Sequence, residues 1–425
     1  MNFPGWFFRP NNKKRCEHYL RVIKCGLNSA EGVGSDPDIE ILLKKIFIYN
    51  NIRYKKLNYS FWSKFFDLIS CSSDKQVDFS GELSLDIVEF DCMLMNTDEW
   101  LELYFVSLAL GLFQIAYSFR SKASERSTIL NSLSIVSKKK IRRYLSVSLE
   151  KNVYDIPDNL SRLLKHLGKF RELYLFNRWQ ASLLKDNISR SRNSILSGSS
   201  LFNNDFYEFV CDKSVAIVGP LLANAENADS IDKHDIVARF NYLRSAKGCD
   251  PIYCGVRCDI SAFNGSHSNY FLENFDKTLP RDLKWALFKS ADHANILGRH
   301  NSNIKIDSLT DYSSFFFNGS LNMLPVMVIN LLIHGVRKIK IFNSDLLLSE
   351  KRYAGYSFRF NDNDRLVNFC IKRLVHDPVT QYIFLKNLYD VKIIEGDKRF
   401  EEVMSLGVRK YMVGLEDVYG KYANQ

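Results

Sequence analysis

The apolar positions of this chain follow two different periods, and the change falls near residue 200. In the first half they recur at helical spacing. Ile41, Leu42, Ile46 and Ile48 line one face of a span from Glu40 to Tyr54, and Tyr59 to Ser70 continues with aromatic and apolar positions. Leu160, Leu163, Leu164, Leu167 and Phe170 mark another such face between Asn159 and Ser182. The most apolar run, LELYFVSLALGLFQIAYSF from Leu101 to Phe119, approaches the roughly 20 residues of a membrane span, but it carries Glu102 near its start and Gln114 inside. It therefore predicts a helix buried within an N-terminal helical domain.

A polar stretch rich in Ser and Asn, NISRSRNSILSGSSLFNN from Asn187 to Asn204, separates this half from the next. It predicts a linker at residues 191–209 between a mainly helical domain at 1–190 and a second domain at 210–425. Beyond it, short β-branched runs alternate with longer amphipathic ones. Val215 to Val218 reads as a buried strand that stops at Gly219 and Pro220, and a second apolar run centres on Ile236 and Val237. Trp285 to Phe288 and Phe315 to Phe317 are further strand candidates. Met323 to His334 predicts a helix ended by Gly335, with Lys338 to Phe342 as the strand that follows. Arg365 to Tyr389 reads as a helical unit broken at His376, Asp377 and Pro378, because proline restricts the residue before it. YDVKIIEGD and VRKYMVGLEDVYGKY then read as a last strand and helix. Strands alternating with helices imply an α/β, Rossmann-like domain, a mostly parallel sheet between two helical layers.

Composition narrows the class. A chain of 425 residues has room for two or three domains, and 46% hydrophobic with 25% charged residues is ordinary for a globular protein. The formal charge of +10 favours partners that carry phosphates or carboxylates: nucleic acid, an anionic membrane or an anionic sugar nucleotide. The basic residues are scattered and no basic-aromatic module is present, which argues against nucleic acid. The nine cysteines form no CxxC pair and are odd in number, the pattern of reduced thiols in a cytosolic protein. The start of the chain lacks the apolar core of a secretory signal. Trp6, Phe7 and Phe8 beside Arg9, Lys13, Lys14 and Arg15 fit either an anionic membrane surface or packing on the protein's own body. SKKKIRR, Ser137 to Arg143, fits a solvated helix face or a contact with lipid phosphate or an anionic glycan.

Candidate chemistry gathers after the linker. Gly219, at the end of the first strand, lets backbone approach a neighbour closely and leaves amide groups able to meet a phosphate, although Pro220 removes one donor. IDKHDIVARFN, from Ile231 to Asn241, sets Asp232, Asp235, Arg239 and Asn241 around an apolar strand. There Arg239 suits either a phosphate or an ion pair with Asp232 or Asp235. His234 sits inside that strand motif and reads as structural. Asn318, Gly319 and Ser320 precede the predicted helix at Met323, where hydroxyl and amide groups either cap the helix or hold a phosphate. His376, beside Pro378, either bonds local backbone or accepts a proton near neutrality.

Three of these stretches resemble the sialylmotifs of the eukaryotic-type sialyltransferases, glycosyltransferase family 29. VAIVGP, Val215 to Pro220, followed by Ile231, Asp232, His234, Asp235, Val237, Arg239 and Asn241 is similar to the large motif, a strand ending VGN and then IDxHDxVxRxN. Asn318 to Asn322 with GVRKIKIFNSD, Gly335 to Asp345, resembles the small motif without its cysteine, and HDPVTQ from His376 resembles the very small motif. Pro220 stands where the family has a nucleotide-binding Asn, a place Asn224 can take, and Gln381 stands where it has Glu. The resemblance implies a CMP-sugar donor, an acidic 2-keto sugar (sialic acid or Kdo), a glycan or glycolipid acceptor, and displacement with neither metal nor further cofactor. It implies His376 as base, and Gly219, Asn224, Arg239, Asn241, Asn264, Asn318, Gly319 and Ser320 around the donor. Asn264 follows Arg257 and Asp259, which correspond loosely to the end of the large motif. A cytosolic enzyme of this kind, peripheral on the inner membrane, would extend a bacterial surface glycan such as lipooligosaccharide or capsule. The other expectation is a nucleotide-binding interaction protein that has lost catalysis, since Pro220 and Gln381 both depart from the pattern.

Overall fold

A computed structural model describes residues 57–70, 73–131, 143, 146–147, 203–221, 225–242, 250–265, 267–268, 283–298, 304–310, 312, 316, 321–349 and 376–419. Expectations for the N-terminal aromatics, Glu40 to Tyr54, Asn159 to Ser182, Arg365 to Val375, Asn224 and Asn318 to Ser320 lie outside the described residues, as does SKKKIRR apart from Arg143. Four helices come first: α1 (Tyr59–Ser70), α2 (Ser73–Glu89), α3 (Thr97–Ala109) and α4 (Phe113–Asn131). After them run α5 (Asn204–Val210), β1 (Ser214–Val218), α6 (Ala228–Asp232), β2 (Ile236–Phe240), α7 (Pro251–Cys254), β3 (Ile260–Phe263), β4 (Trp285–Phe288), α8 (Ala291–Leu297) and β5 (Lys305–Ser308). The chain continues through α9 (Met323–Ile333), β6 (Lys338–Phe342), α10 (Pro378–Asp390), β7 (Ile394–Gly396), α11 (Lys398–Ser405) and α12 (Gly407–Tyr419).

The seven strands form one all-parallel sheet in the order β5-β4-β3-β2-β1-β6-β7. Strands buried on both faces need apolar residues at consecutive positions, and β2, β3 and β4 are buried throughout. Alternate side chains serve opposite layers. Val215 and Ile217 of β1 join the main core with α9, α10 and α12, whereas Ala216 and Val218 pack with Ile231 of α6 and Phe342 of β6. A third cluster joins Phe263, Ala286 and Phe288 to Ala294 and Leu297 of α8, so helices cover both faces. The expected α/β sandwich is present.

The N-terminal helices are not a separate apolar body. Phe61, Trp62, Trp100, Tyr104, Phe113 and Phe119 belong to the same contiguous core as the sheet and its C-terminal helices. The single buried helix expected over Leu101 to Phe119 is two helices. The chain turns at Gly111, whose φ of 76° is open to glycine at little cost. Asn96 and Glu99 form a capping box that starts α3, with Glu99 N donating to Asn96 Oδ1 at 2.9 Å. No helix among the described residues is long and apolar enough to cross a membrane.

Three further expectations are corrected. Phe316 lies in a bend rather than a strand, and its ring packs edge-on against Phe384 of α10 at 5.4 Å. The edge strand β5, KIDS, was missed because only one of its neighbours is a strand and its residues are partly or fully exposed, so it carries no apolar run. Cys254 is disulfide-bonded, against the expectation of reduced thiols throughout, while Cys92 and Cys258 are free. Burial pushes the Cys258 thiol up to about 12, beyond the reach of neutral-pH thiolate chemistry.

Candidate functional site

In an open parallel sheet the ligand crevice opens at the carboxyl ends of the strands, where the strand order reverses. Here the chain moves outward from β1 to β5 and then returns to the other side of β1 with β6, so the reversal lies between β1 and β6. Gly219 and Asn343 end these two strands, and the pair is tightly packed. Gly219 N donates to Phe342 O at 2.8 Å and Leu221 N to Asn343 O at 3.2 Å. A Cβ on Gly219 would lie 2.4 Å from the Asn343 carbonyl oxygen, so the glycine is demanded by the adjoining strand end.

Asn343 has a left-handed backbone, φ 52°, and is almost fully buried. Its N–H donates to Asp397 Oδ2 at 2.7 Å, its Oδ1 accepts from Asn227 Nδ2 at 3.1 Å, and its Nδ2 donates to Tyr253 O at 3.2 Å. Asp397 also accepts from Asn227 Nδ2 at 3.2 Å and from Phe400 N at 2.8 Å, which caps α11. The ends of β1, β6 and β7 and the starts of α6 and α11 are thus joined by one polar network. None of Asn227, Asn343 and Asp397 was singled out from the sequence. The available signal was a polar residue directly after each of two apolar runs, KIKIF and IIEG.

The end of β2 supplies the second part of the crevice. Asn241, φ 49° and 2% exposed, donates its N–H to Ala262 O at 2.8 Å and accepts from Asn264 N at 3.1 Å through Oδ1. Its Nδ2 is buried with no hydrogen-bond partner. Left-handed backbone is tolerated by Asn, and an orphaned buried amide donor is uncommon. Asn264 in turn caps a helical turn, accepting from His267 N at 3.0 Å.

Arg239 does not pair with either expected carboxylate. The guanidinium, 3% exposed, donates to the carbonyls of Arg257 at 2.8 Å, Cys254 at 2.6 Å and Gly255 at 3.1 Å, and stacks over Tyr242 at 5.0 Å. It ties β2 to the α7 turn. Asp232 accepts from Val256 N at 3.1 Å, and Asp235 accepts from Ser214 N and Oγ, both at 2.8 Å. Those two Ser214 bonds hold the Asp235 carboxyl below its ordinary range. His234 is structural as expected: its Nδ1 is 2.8 Å from Ser230 O and its ring stands edge-on to Phe342.

A separate cluster lies at the start of α10. Asp377 caps this helix, its Oδ1 accepting from Thr380 N at 3.1 Å, with Pro378 in the first turn. His376, half-buried, directly precedes the cap, and its carbonyl accepts from Gln381 Nε2. Gln381 Oε1 accepts from Asn322 N, the residue before α9, at 3.2 Å. The approach to α9 and the start of α10 are therefore joined through Gln381. The ends of β1 and β6 meet at Gly219 and Asn343. Lys289, after β4, donates to Leu321 O and ties the α9 approach to the sheet edge. No family model matches the chain, and no curated protein matches it significantly. Among the described residues no group of three or more His, Cys, Asp or Glu is arranged to hold a metal ion.

Proposed function

We propose that this protein is a CMP-sugar-dependent glycosyltransferase that moves an acidic 2-keto sugar, sialic acid or Kdo, to a glycan acceptor. The observation that carries the reading is Asn241: a buried amide donor without a partner, at the carboxyl edge of a parallel sheet, in the position where the sialyltransferase-like motif has its nucleotide contact. Two supports stand beside it. The segments that resemble the three motifs are linked pairwise by Asn343 and by Gln381, and the reversal of strand order between β1 and β6 is where an open parallel sheet takes its ligand.

In this reading the acceptor hydroxyl attacks the anomeric carbon while the bond from that carbon to the phosphate oxygen breaks. CMP leaves with the electron pair, and the imidazole of His376 takes the hydroxyl proton. The Asn241 side chain stabilises the departing phosphate. The acceptor is a bacterial surface glycan or glycolipid, met at the inner face of a membrane.

A specific observation favours a second reading, a nucleotide-binding interaction protein without transfer. Gln381 occupies the place of the family's Glu and spends both ends of its amide on structure. CMP release from CMP-sialic acid and CMP-Kdo, followed by chromatography, separates the two. Release that disappears in His376→Ala supports the enzyme. Stabilisation by CMP with no release from either donor overturns it.

A further inference from the structure

We infer that Arg120, from the N-terminal helices, is a positioning residue for the His376 segment, acting through Thr380 and Asp377; the inference rests on the reading of His376 as the proton acceptor. Arg120 lies on α4 at 2% exposure, with its guanidinium carbon 5.8 Å from the centre of the Tyr104 ring. Its Nη2 donates to Thr380 Oγ1 at 2.9 Å, across a sequence separation of 260 residues. Thr380 Oγ1 donates in turn to Asp377 Oδ2 at 2.6 Å. Thr380 is fully buried and Asp377 nearly so.

The chemistry of this relay is directional. A hydroxyl has one proton to give, and here it goes to the carboxylate because the guanidinium fills the accepting side. A buried cation and a buried carboxylate are thereby joined through one hydroxyl, in surroundings where leaving either unpaired is costly. Asp377 has its other oxygen on Thr380 N, so both carboxylate oxygens are committed and its χ angles are fixed. The residue so fixed is the one after His376, and the carbonyl of His376 is itself held by Gln381. The backbone that follows the histidine α-carbon is pinned at the His376 carbonyl and at Asp377, with the pin anchored in a helix from the other half of the chain. The N-terminal helices then contribute to the geometry of the proposed base, beyond any part they have in holding an acceptor or a membrane.

The test uses the full chain and two readouts. Thr380→Val removes the hydroxyl and keeps the volume; Thr380→Ser keeps the hydroxyl; Arg120→Met and Arg120→Lys do the same for the charge. Release of CMP by Thr380→Val should fall by about ten- to a hundredfold in kcat, with KM for the donor within about threefold, and Thr380→Ser should restore it. Arg120→Met should match Thr380→Val, and the double variant should be no worse than either, the mark of a shared path. With 13C-labelled histidine, the His376 ring signal, assigned by its loss in His376→Gln, should move and titrate differently in Thr380→Val. An unchanged His376 signal and titration, or additive losses in the double variant, would overturn the inference. If the unaltered protein releases CMP from no donor, the functional reading fails, and the ring spectrum alone still decides whether Arg120 and Thr380 position the histidine.

Discussion

Glu416 offers a perturbation whose sign depends on which of two effects is larger. Its carboxylate, on α12, is 2% exposed and sits against the first turn of α4, where Oε2 accepts from Gln114 N at 3.2 Å and Gln114 Nε2 at 3.4 Å. An anion at a helix N-terminus is favoured, typically by about 0.3–1 kcal/mol. Removing a carboxylate from water works against it. Burial is the larger cause here and pushes the group from 4.5 up to about 7, with Ser80 and the Gln114 amides pulling the other way.

The folded state therefore keeps this proton between about pH 4.5 and 7 while the unfolded chain has released it. Stability is fully present below 4.5 and falls as pH rises through that window. The interval from 4.5 to about 7, at ~1.4 kcal/mol per pH unit, makes the loss about 3 kcal/mol by pH 8. Glu416→Gln keeps the shape and has no charge to desolvate. It should match the parent protein near pH 4.5 and exceed it by up to about 3 kcal/mol at pH 8. Urea unfolding of both proteins at pH 5, 6, 7 and 8 gives the difference directly, since other titrating groups cancel between them. A difference that does not change with pH would refute the reasoning. A variant less stable at pH 8 would show that the helix-terminus contact wins instead.

Two further outcomes follow from the crevice. Gly219→Ala forces its Cβ against the Asn343 carbonyl, 2.4 Å away and backbone on both sides, so the ends of β1 and β6 must separate. It should cost at least the ~1–3 kcal/mol of core overpacking in urea unfolding and weaken CMP binding by calorimetry, whereas an unaltered midpoint would show that the strand ends yield freely. Asn241→Asp keeps the acceptor that meets Asn264 N but replaces the orphaned donor with a second acceptor. CMP affinity should fall at least about tenfold, a ~1.4 kcal/mol effect, beyond the loss of stability that the buried carboxylate brings in urea unfolding; equal affinity would remove Asn241 from the donor site.

The sheet was legible because burial on both faces writes consecutive apolar residues, as in SVAIV and WALF, while KIKIF keeps a strand's alternation. Where that condition lapses the pattern fades, and the edge strand KIDS carries none of it. Gly111 was read as part of an apolar run because composition alone gives no sign of a positive φ. At the site, Gly219 was read at the end of a strand and lies there, yet the partners of Arg239 were not legible, since a guanidinium satisfied by three backbone carbonyls leaves no trace in spacing. Asn343 and Asp397 were passed over for a related reason. Each does its work through contacts 54 residues apart, which only the return of β6 and β7 to the side of β1 brings together.

The same limit hides from the sequence that the helices before residue 200 share one apolar core with the sheet. A polar stretch between two periodicities is what a linker looks like, and nothing local distinguishes an apolar helix face that covers its own domain from one that covers another. The contacts that join the halves are polar groups inside an apolar seam: Arg120 on Thr380, and Glu416 on Gln114. Apolar packing alone tolerates sliding of one helix over another, because its energy varies little with register. A buried guanidinium or carboxylate does not, since any other register strands it without a partner. Those two contacts hold α4 at a fixed height against α10 and α12, and it is from the start of α10 that His376 is presented.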